Sequence, residues 1–306
     1  MIYTLTPNPA IDLFVELDSF KPNTVNRTNN EDYQANGKAI NISIMLKKIG
    51  LDNTALGFVG GFTGSFIHDE LNALGIKTDF VEVDGITRVN TFVRASENEE
   101  YKIVNQGPEI PEDKIEEMLG KVKNIPEESI LFVSGSLPKG VPDSFYVEVA
   151  KICAERTIKL VLDISSPKLL ECLPYKPYLI KPNDEELAVF FGKEALSKEE
   201  IIYYGKELLN LGAQNVLISL GSEGSVFISS ATVLKASSVK GKVVNTACAG
   251  DSLLAMFVGK IIQNAGVEEA LKYASATGAS TAFSKGLSDL SDLPELLPAI
   301  ELTKYN

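Results

Sequence analysis

A chain of 306 residues, 44% of them hydrophobic, can bury one large core or two unequal ones, and its net charge of −12 argues against general affinity for nucleic acid or anionic membranes. His68 is the sole histidine, which excludes multi-histidine zinc sites, and Cys153, Cys172 and Cys248 fall in no metal-ligand spacing. Met1 to Pro7 lacks the basic start and apolar run of a signal peptide, and no apolar run approaches the roughly 20 residues of a membrane span, so a reduced, cytoplasmic setting is expected.

Taken in chain order, Ile11 to Leu17 predicts a short strand with polar alternation. Ile40 to Ile49, on a helix beginning near Gly37, and Thr54 to Val59 follow an α/β rhythm. Phe62 to Leu74 is helix-like and carries His68, with no nucleophile motif beside it, so His68 reads as structural. Arg88 to Ala95 and Tyr101 to Asn105 are two more short strands, with Asn98 and Glu99 in the turn between them. From residue 129 onward the rhythm is strict. Strands at Ile130 to Val133, Lys159 to Leu162, Tyr178 to Ile180 and Asn215 to Ile218 are separated by helices at Ser144 to Glu155, from Asp184, and at Lys198 to Leu211. Helices at Gly250 to Asn264 and Val267 to Phe283 close the pattern. Continuous apolar strands alternating with helices predict an α/β layered sandwich with a parallel sheet covered on both faces. The polar strands of the first third predict a small sheet projecting over its edge, with an apolar face suited to pairing with a second copy.

Three common nucleotide-binding solutions are excluded. The chain contains no G-x-G, no Gly-Lys pair followed by Ser or Thr, and no H-R-D around its one histidine. What remains is Asn245-Thr246-Ala247-Cys248-Ala249-Gly250-Asp251-Ser252, which enters the apolar helix Leu253 to Ile262. Small residues ahead of a helix let backbone N–H groups approach an anion, and the helix dipole adds roughly +0.5 charge there. An aspartate beside such a site would repel a phosphate. It makes sense if the carboxylate accepts a proton from a hydroxyl attacking phosphorus. On the residues alone a second reading stays open, that Asp251 merely favours the helix N-terminus.

This segment resembles the T-x-G-A-G-D signature of the ribokinase-like, or PfkB, sugar kinases, and further segments match in order along essentially the whole chain. Thr6-Pro7-Asn8-Pro9-Ala10-Ile11-Asp12 resembles the N-terminal substrate motif and Gly37-Lys38-Ala39-Ile40-Asn41 the G-K-G-x-N motif. Lys181-Pro182-Asn183-Asp184-Glu185-Glu186 resembles the N-x-x-E motif and Ser219-Leu220-Gly221-Ser222-Glu223-Gly224 the nucleotide loop. Thr87-Arg88-Val89-Asn90 and Ser134-Gly135-Ser136-Leu137-Pro138 resemble the branch that acts on phosphorylated ketohexoses. Two positions depart from the pattern: Cys248 and Ala39 stand where the family has glycine. Cys248 keeps its N–H, so the anion loop survives provided its backbone does not need a positive φ. A thiol there is also a candidate redox-sensitive spot.

The resemblance implies a ribokinase-like three-layer α/β sandwich with a mostly parallel sheet, one domain over 1–306, and a β-lid from insertions near 11–36 and 88–106. It implies transfer of the γ-phosphoryl group of ATP to a ketohexose monophosphate. Gly60 to Gly64 and Thr78 to Val83 put fructose 1-phosphate first and tagatose 6-phosphate or fructose 6-phosphate second. Asp251 would be the catalytic base, with the N–H groups of Cys248, Ala249, Gly250 and Asp251 holding the transferring charge. Asn183 and Glu186 would orient Mg²⁺ held mainly by ATP, although Asn-x-x-Glu also reads as a capping box. Lys181, Ser219, Gly221 and Gly224 would cradle the nucleotide, although G-x-x-G ahead of Val226-Phe227-Ile228 also reads as a hairpin turn. The helix around Ser275 to Ala279 would wall the adenine. Asp12, Gly37, Asn41, Asn90 and Ser136 would hold the sugar, and Lys38 and Arg88 its phosphate. Lys139, and Arg27 reaching from a partner's lid, are further phosphate candidates for which plain surface charge reads equally well. A monovalent cation is a further candidate cofactor, a homodimer through the lid the expected assembly, and a non-catalytic sugar-phosphate sensor the alternative of another class.

Overall fold

Strand and helix formation follows the apolar pattern closely. The computed structural model describes residues 1–96 and 99–305, and all elements and contacts below are those of these residues. The chain opens with β1 (Ile2–Thr6), leaves for β2 (Ala10–Glu16) and β3 (Asn30–Asn36), and returns through α1 (Lys38–Lys48) to β4 (Thr54–Val59). Helix α2 (Gly61–Ala73) leads to the short strands β5 (Lys77–Thr78) and β6 (Val81–Glu82), and a second excursion makes β7 (Arg88–Ser96) and β8 (Glu99–Ile103). Then follow α3 (Glu112–Lys123), β9 (Ile130–Ser134), α4 (Ser144–Glu155), β10 (Lys159–Asp163), α5 (Leu169–Cys172) and β11 (Leu179–Ile180). Next come α6 (Asp184–Phe190), α7 (Lys198–Asn210), β12 (Asn215–Ser219), β13 (Ser225–Ser229) and β14 (Val233–Ala236). Helices α8 (Ala249–Ile262), α9 (Val267–Ala282) and α10 (Leu293–Leu296) precede β15 (Leu302–Tyr305).

The main sheet runs β15-β14-β13-β12-β11-β10-β9-β1-β4-β5, with β6 also on β4. Pairing is parallel from β12 to β5 and antiparallel from β12 to β15. Both faces are buried, so successive residues of one strand enter different cores. Leu131 and Val133 of β9 join the layer of α3, α4 and α7, whereas Phe132 between them packs with α1, α8 and α9. This is the three-layer α/β arrangement expected from the sequence.

The second sheet, β3-β2-β7-β8, is smaller. Asp12 pairs with Asn90 and Gln34 in register, so these three share the face that Asp12 turns toward the main domain. Side contacts anchor the sheet: Arg94 Nη2 donates to Val244 O (3.2 Å), and Lys285 pairs with Glu16 (3.1 Å). The turn expected at Asn98 and Glu99 is corrected in part: Glu99 already belongs to β8, and Asn98 lies outside the described residues.

Several elements were not foreseen from the sequence. Helix α3 does carry a signal there: Ile115, Met118, Leu119 and Val122 make an apolar stripe at helical spacing that packs on the core. In the antiparallel edge, β13 and β14 are short apolar runs that read alike in either direction, and β15, Leu-Thr-Lys-Tyr, is exposed along its length. Gly221–Glu223 forms a 3₁₀ turn within the β12–β13 hairpin, as the turn reading of G-x-x-G had it. No helix of the described residues is long and apolar enough to cross a membrane.

Candidate active site

In an open parallel sheet the carboxyl ends of the strands border a crevice. Here the ends of β10, β11 and β12 face the N-termini of α1 and α8 across a cleft of about 360 Å³. It is lined by Asp12, Asn36, Lys38, Asn41, Asp163, Lys181, Asn183, Glu186, Ser219, Ala247, Cys248, Gly250 and Asp251. Ten of the sequence-predicted positions thus converge from strands, helices and loops far apart in the chain; Asn36, Asp163 and Ala247 were not foreseen.

No side chain caps α8, so its first amides stay available to an anion. Ala249 N makes only a long 3.4 Å contact with Thr246 O. Cys248, the N-cap, has φ 64°. The condition set for tolerance of a non-glycine residue is therefore not met: the backbone does sit in the left-handed region, at a cost of about 1–2 kcal/mol for a residue with a Cβ. Burial and the neighbouring Asp251 carboxylate push the Cys248 thiol well above its usual range. It stays protonated and is a poor target for oxidants, which opposes a redox role.

Asp251 opens the second residue position beyond Ala249 and is buried. Its Oδ2 accepts from Asn41 Nδ2 at 2.8 Å. Burial, with Asp163 adding like charge, raises its pKa to about 6 against the opposing pull of Lys38, the Asn41 hydrogen bond and Lys181. A carboxylate that titrates near neutrality is suited to take up and release a proton.

The charge that matters most to the site's electrostatics is Asp163, the last residue of β10. Its Oδ1 lies 3.2 Å from both Lys38 Nζ and Lys181 Nζ, and its Oδ2 is buried with no partner among the described residues. Burial works against its ionisation, yet the ammonium groups of Lys181 and Lys38 prevail and hold its carboxyl below the usual range. In return, Lys38 stays charged despite burial, its pKa lifted by Asp163, Asp251 and Glu186. Lys38, expected at the sugar's own phosphate, is instead fixed in the middle of this cluster. A buried acid at the end of an apolar parallel strand was the available signal for Asp163, since such ends border the crevice.

Asp12 sits across the cleft at the root of the small sheet. Burial raises its pKa to about 6, opposed by the hydrogen bond from Asn90 and by Arg88. Asn90 Nδ2 donates to Oδ1 at 2.8 Å, which leaves Oδ2 able to accept from a ligand hydroxyl. Arg88 donates to Asn8 O (2.8 Å) and Asn105 O (3.1 Å), and its Nε has no partner among the described residues. Gly37, at φ 141°, brings β1 against α1 so closely that a Cβ would lie 2.6 Å from Thr6 Cγ2.

On the other flank, Asn183 and Glu186 form a complete capping box on α6. Glu186 Oε2 accepts from Asn183 N (2.9 Å) and Oε1 from Ser165 Oγ (2.5 Å), yet the carboxylate still borders the cleft. Ser219 ends β12 beside Asn183. Gly224 has φ 95° and a backbone so close to Ala236 O that no Cβ fits, which explains this glycine by packing alone. Gly221 lies in the same turn, outside the cleft lining.

Other expected residues are not brought into the cleft. Ser275 faces the sheet, its hydroxyl bonded to Ser225 Oγ at 2.6 Å in the buried layer, and Ala279 is buried on the same helix. Neither stands as an adenine wall in this arrangement. Lys139 is exposed and paired with Glu109 at 2.7 Å, so its charge is spent at the surface. Ser136 is exposed on the loop after β9, and Arg27 is exposed on the β2–β3 loop.

A buried carboxylate, an open helix N-terminus and a lysine pair converge at the strand ends, with a second carboxylate set opposite, and residues 6–295 match the pfkB family of carbohydrate kinases. The chain belongs to the pfkB family. This carbohydrate kinase is 58% identical over 304 residues to a D-tagatose-1-phosphate kinase from Bacillus licheniformis, covering 99% of each chain. It is 37% identical to a 1-phosphofructokinase from Bacillus subtilis, covering 99% of this chain and 100% of the other. Its fold superposes with a TM-score of 0.91 on phosphofructokinase-2 from Escherichia coli in complex with potassium, at 27% identity and covering 97% and 98% of the two chains. The pfkB chain is thus a phosphohexose kinase, transferring phosphoryl to an alcohol acceptor.

Proposed function

We propose that this kinase transfers the γ-phosphoryl group of ATP to the terminal C6 hydroxyl of a ketohexose 1-phosphate, with D-tagatose 1-phosphate the preferred acceptor and the 1,6-bisphosphate the product. The reading rests on the placement of Asp251, a buried carboxylate that titrates near neutrality at the mouth of an uncapped helix. Asp251 takes the proton of the acceptor hydroxyl as it attacks phosphorus, and the amides of Gly250 and Ala249 hold the transferring charge. Lys38 and Lys181 bring positive charge to the phosphates and are kept in place by Asp163. Asp12, oriented by Asn90, accepts from sugar hydroxyls, and the Arg88 guanidinium beside Asp12 brings positive charge to the end of the cleft where the sugar's phosphate would lie.

Among the described residues no cluster of three or more acids, histidines and cysteines could by itself hold a metal. The donors present fit magnesium carried on the nucleotide: the half-buried Glu186 carboxylate borders the cleft and can accept from a metal-bound water, with the Asp163 charge buried beside it. When bound, the ion neutralises charge on the β- and γ-phosphates. The potassium in the related phosphofructokinase-2 supports a monovalent cation as a further ligand. Three free cysteines and the acidic surface accord with a reducing, cytoplasmic setting.

Fructose 1-phosphate, the first choice from sequence motifs, is the second reading, favoured by the likeness to 1-phosphofructokinase. The greater identity to D-tagatose-1-phosphate kinase moves the preference to its C4 epimer. A coupled ADP assay with Mg-ATP separates the readings. D-Tagatose 1-phosphate is expected to give the highest kcat/KM, with the 6-phosphates of tagatose and fructose about 100-fold poorer because their phosphate occupies the reacting end. A 6-phosphate as best acceptor would overturn the assignment, and no turnover with any of the four would favour a sensor.

The reading includes a homodimer through the small sheet acting as a lid. Tyr33, Tyr101 and Ile103 lie in register on the face turned away from Asp12 and are exposed, beside exposed Phe20, Val25 and Val104. An apolar face of this kind is normally covered. Sedimentation is expected to give a dimer at micromolar concentration, and Tyr33→Glu with Ile103→Glu to give a monomer. A wild-type monomer under those conditions would refute the pairing.

A further inference from the structure

Asn36, Asn41 and Cys248 border the transfer cleft and, from their other side, a second hollow of about 440 Å³. This hollow lies between β3, the C-terminal end of α2 and the Gly286–Leu287 loop. Its outer lining, including Asp32, Glu70 and Leu74, is exposed, so water reaches it freely. The hollow and the cleft have Asn36, Asn41 and Cys248 as their shared lining. The two N–H bonds of the Asn41 amide are shared among Asp251 Oδ2 (2.8 Å), Cys248 Sγ (3.1 Å) and Asn36 Oδ1 (3.1 Å). Asn36 Nδ2 approaches the same sulfur at 3.9 Å, and Asn36 Oδ1 also accepts from Gly37 N (2.6 Å).

Cys248 holds this position against its backbone preference. At φ 64° glycine is relaxed and cysteine is strained, and T-x-G-A-G-D loops carry glycine there. A strained side chain persists where surrounding contacts over-determine it, and here the contacts are those of the partition.

We infer that the Cys248 side chain, locked to Asn36 and Asn41, is the rear wall of the transfer cleft, a positioning residue that bars water in the outer hollow from the phosphoryl group. The inference rests on the reading of the cleft as the place of phosphoryl transfer. A covering sheet excludes water only from the front, and a gap behind Asp251 would defeat it. Through such a gap a water oxygen attacks the γ-phosphorus and the bond to the β,γ-bridging oxygen breaks. ADP departs with that electron pair, Asp251 takes one water proton, and inorganic phosphate is released in place of the sugar bisphosphate.

The test compares wild type, Cys248→Gly and Cys248→Ser by ADP formed per bisphosphate formed, and by ADP formed with no acceptor present. In Cys248→Gly the ratio is expected to rise from near one to above about two, with acceptor-free ADP formation up about 10-fold. Cys248→Ser keeps an acceptor for the Asn41 amide and should hold the ratio near one. The thermal midpoint of Cys248→Gly should equal or exceed that of wild type, because the left-handed strain is relieved. A merely structural role would lower the midpoint and leave the ratio alone. Cys248→Ala, read the same way, serves if the glycine variant does not fold. A Gly or Ala variant as tightly coupled as wild type overturns the inference and leaves the proposed function intact. A wild type that transfers nothing to any ketohexose phosphate overturns the proposed function, and this inference falls with it.

Discussion

Asp251→Asn is expected to lower kcat by about 10³-fold or more while making the protein harder to unfold. The two effects have one cause. The site holds this carboxyl at a pKa of about 6, against an ordinary value of 3.8, because burial and the nearby Asp163 disfavour its charge. For an aspartate shifted upward, the sign of the linkage is that ionisation weakens the fold. The penalty is absent below the ordinary value, grows as pH rises, and is complete above about 6. At pH 7 it is on the order of 1–3 kcal/mol, and a neutral asparagine removes it. The same titration sets the pH dependence of the reaction. Wild-type kcat/KM should fall as pH drops through about 6, where the base becomes protonated. Stopped-time assays across pH 5 to 8 and a urea titration at pH 7 check both arms. A variant that is inactive and less stable would indicate a structural role for Asp251, and one that turns over like wild type would remove it as the base.

Asp163→Ala is expected to cost about 3–5 kcal/mol, the largest single stability loss foreseen for a cleft residue. Lys181 is only 5% exposed and shares Asp163 Oδ1 with Lys38, so the truncation strands two ammonium groups over one missing carboxylate. Asp163→Asn keeps the shape and one acceptor, and should lose less. Both variants also act on Asp251. Removing the like charge, and freeing two lysines to attract it, lowers its pKa, so the acid limb of kcat/KM should move below 6. Denaturation midpoints combined with pH–rate profiles give the result. Stability within about 1 kcal/mol of wild type, with an unmoved limb, would mean the lysines find other partners.

The sequence carried the α/β body well because its signals are local. The helix read at Ser144 to Glu155 has those bounds in the structure, and the apolar runs at 130, 159, 179 and 215 all pair in parallel. Asn183 and Glu186 cap α6 while bordering the cleft, so both of their readings hold at the level of geometry. What stayed hidden depends on distant partners. An acid ending an apolar strand hints at Asp163, but its lysine partner Lys38 lies 125 residues away and appears only in the fold. The left-handed backbone of Cys248 follows from how the loop enters α8, and no neighbouring residue signals it. Lys139 is a cation candidate beside the Ser134 to Pro138 motif and Ser275 follows only from the overall resemblance; each has a nearer partner, Glu109 and Ser225, that the sequence does not display.

The hydrogen bond from Asn41 to Asp251 joins residues 210 positions apart, one in the first turn of α1 and the other in the first turn of α8. Entropy scarcely penalises so long a closure, since each doubling of loop length adds only about 0.6 kcal/mol. Its consequence is one of timing: the reactive constellation cannot assemble until a growing chain has reached α8. No fragment ending before α8 holds the carboxylate, and none lacking α1 holds its amide partner. Chains in which α1 and α8 have not met therefore lack the assembled carboxylate and amide pair.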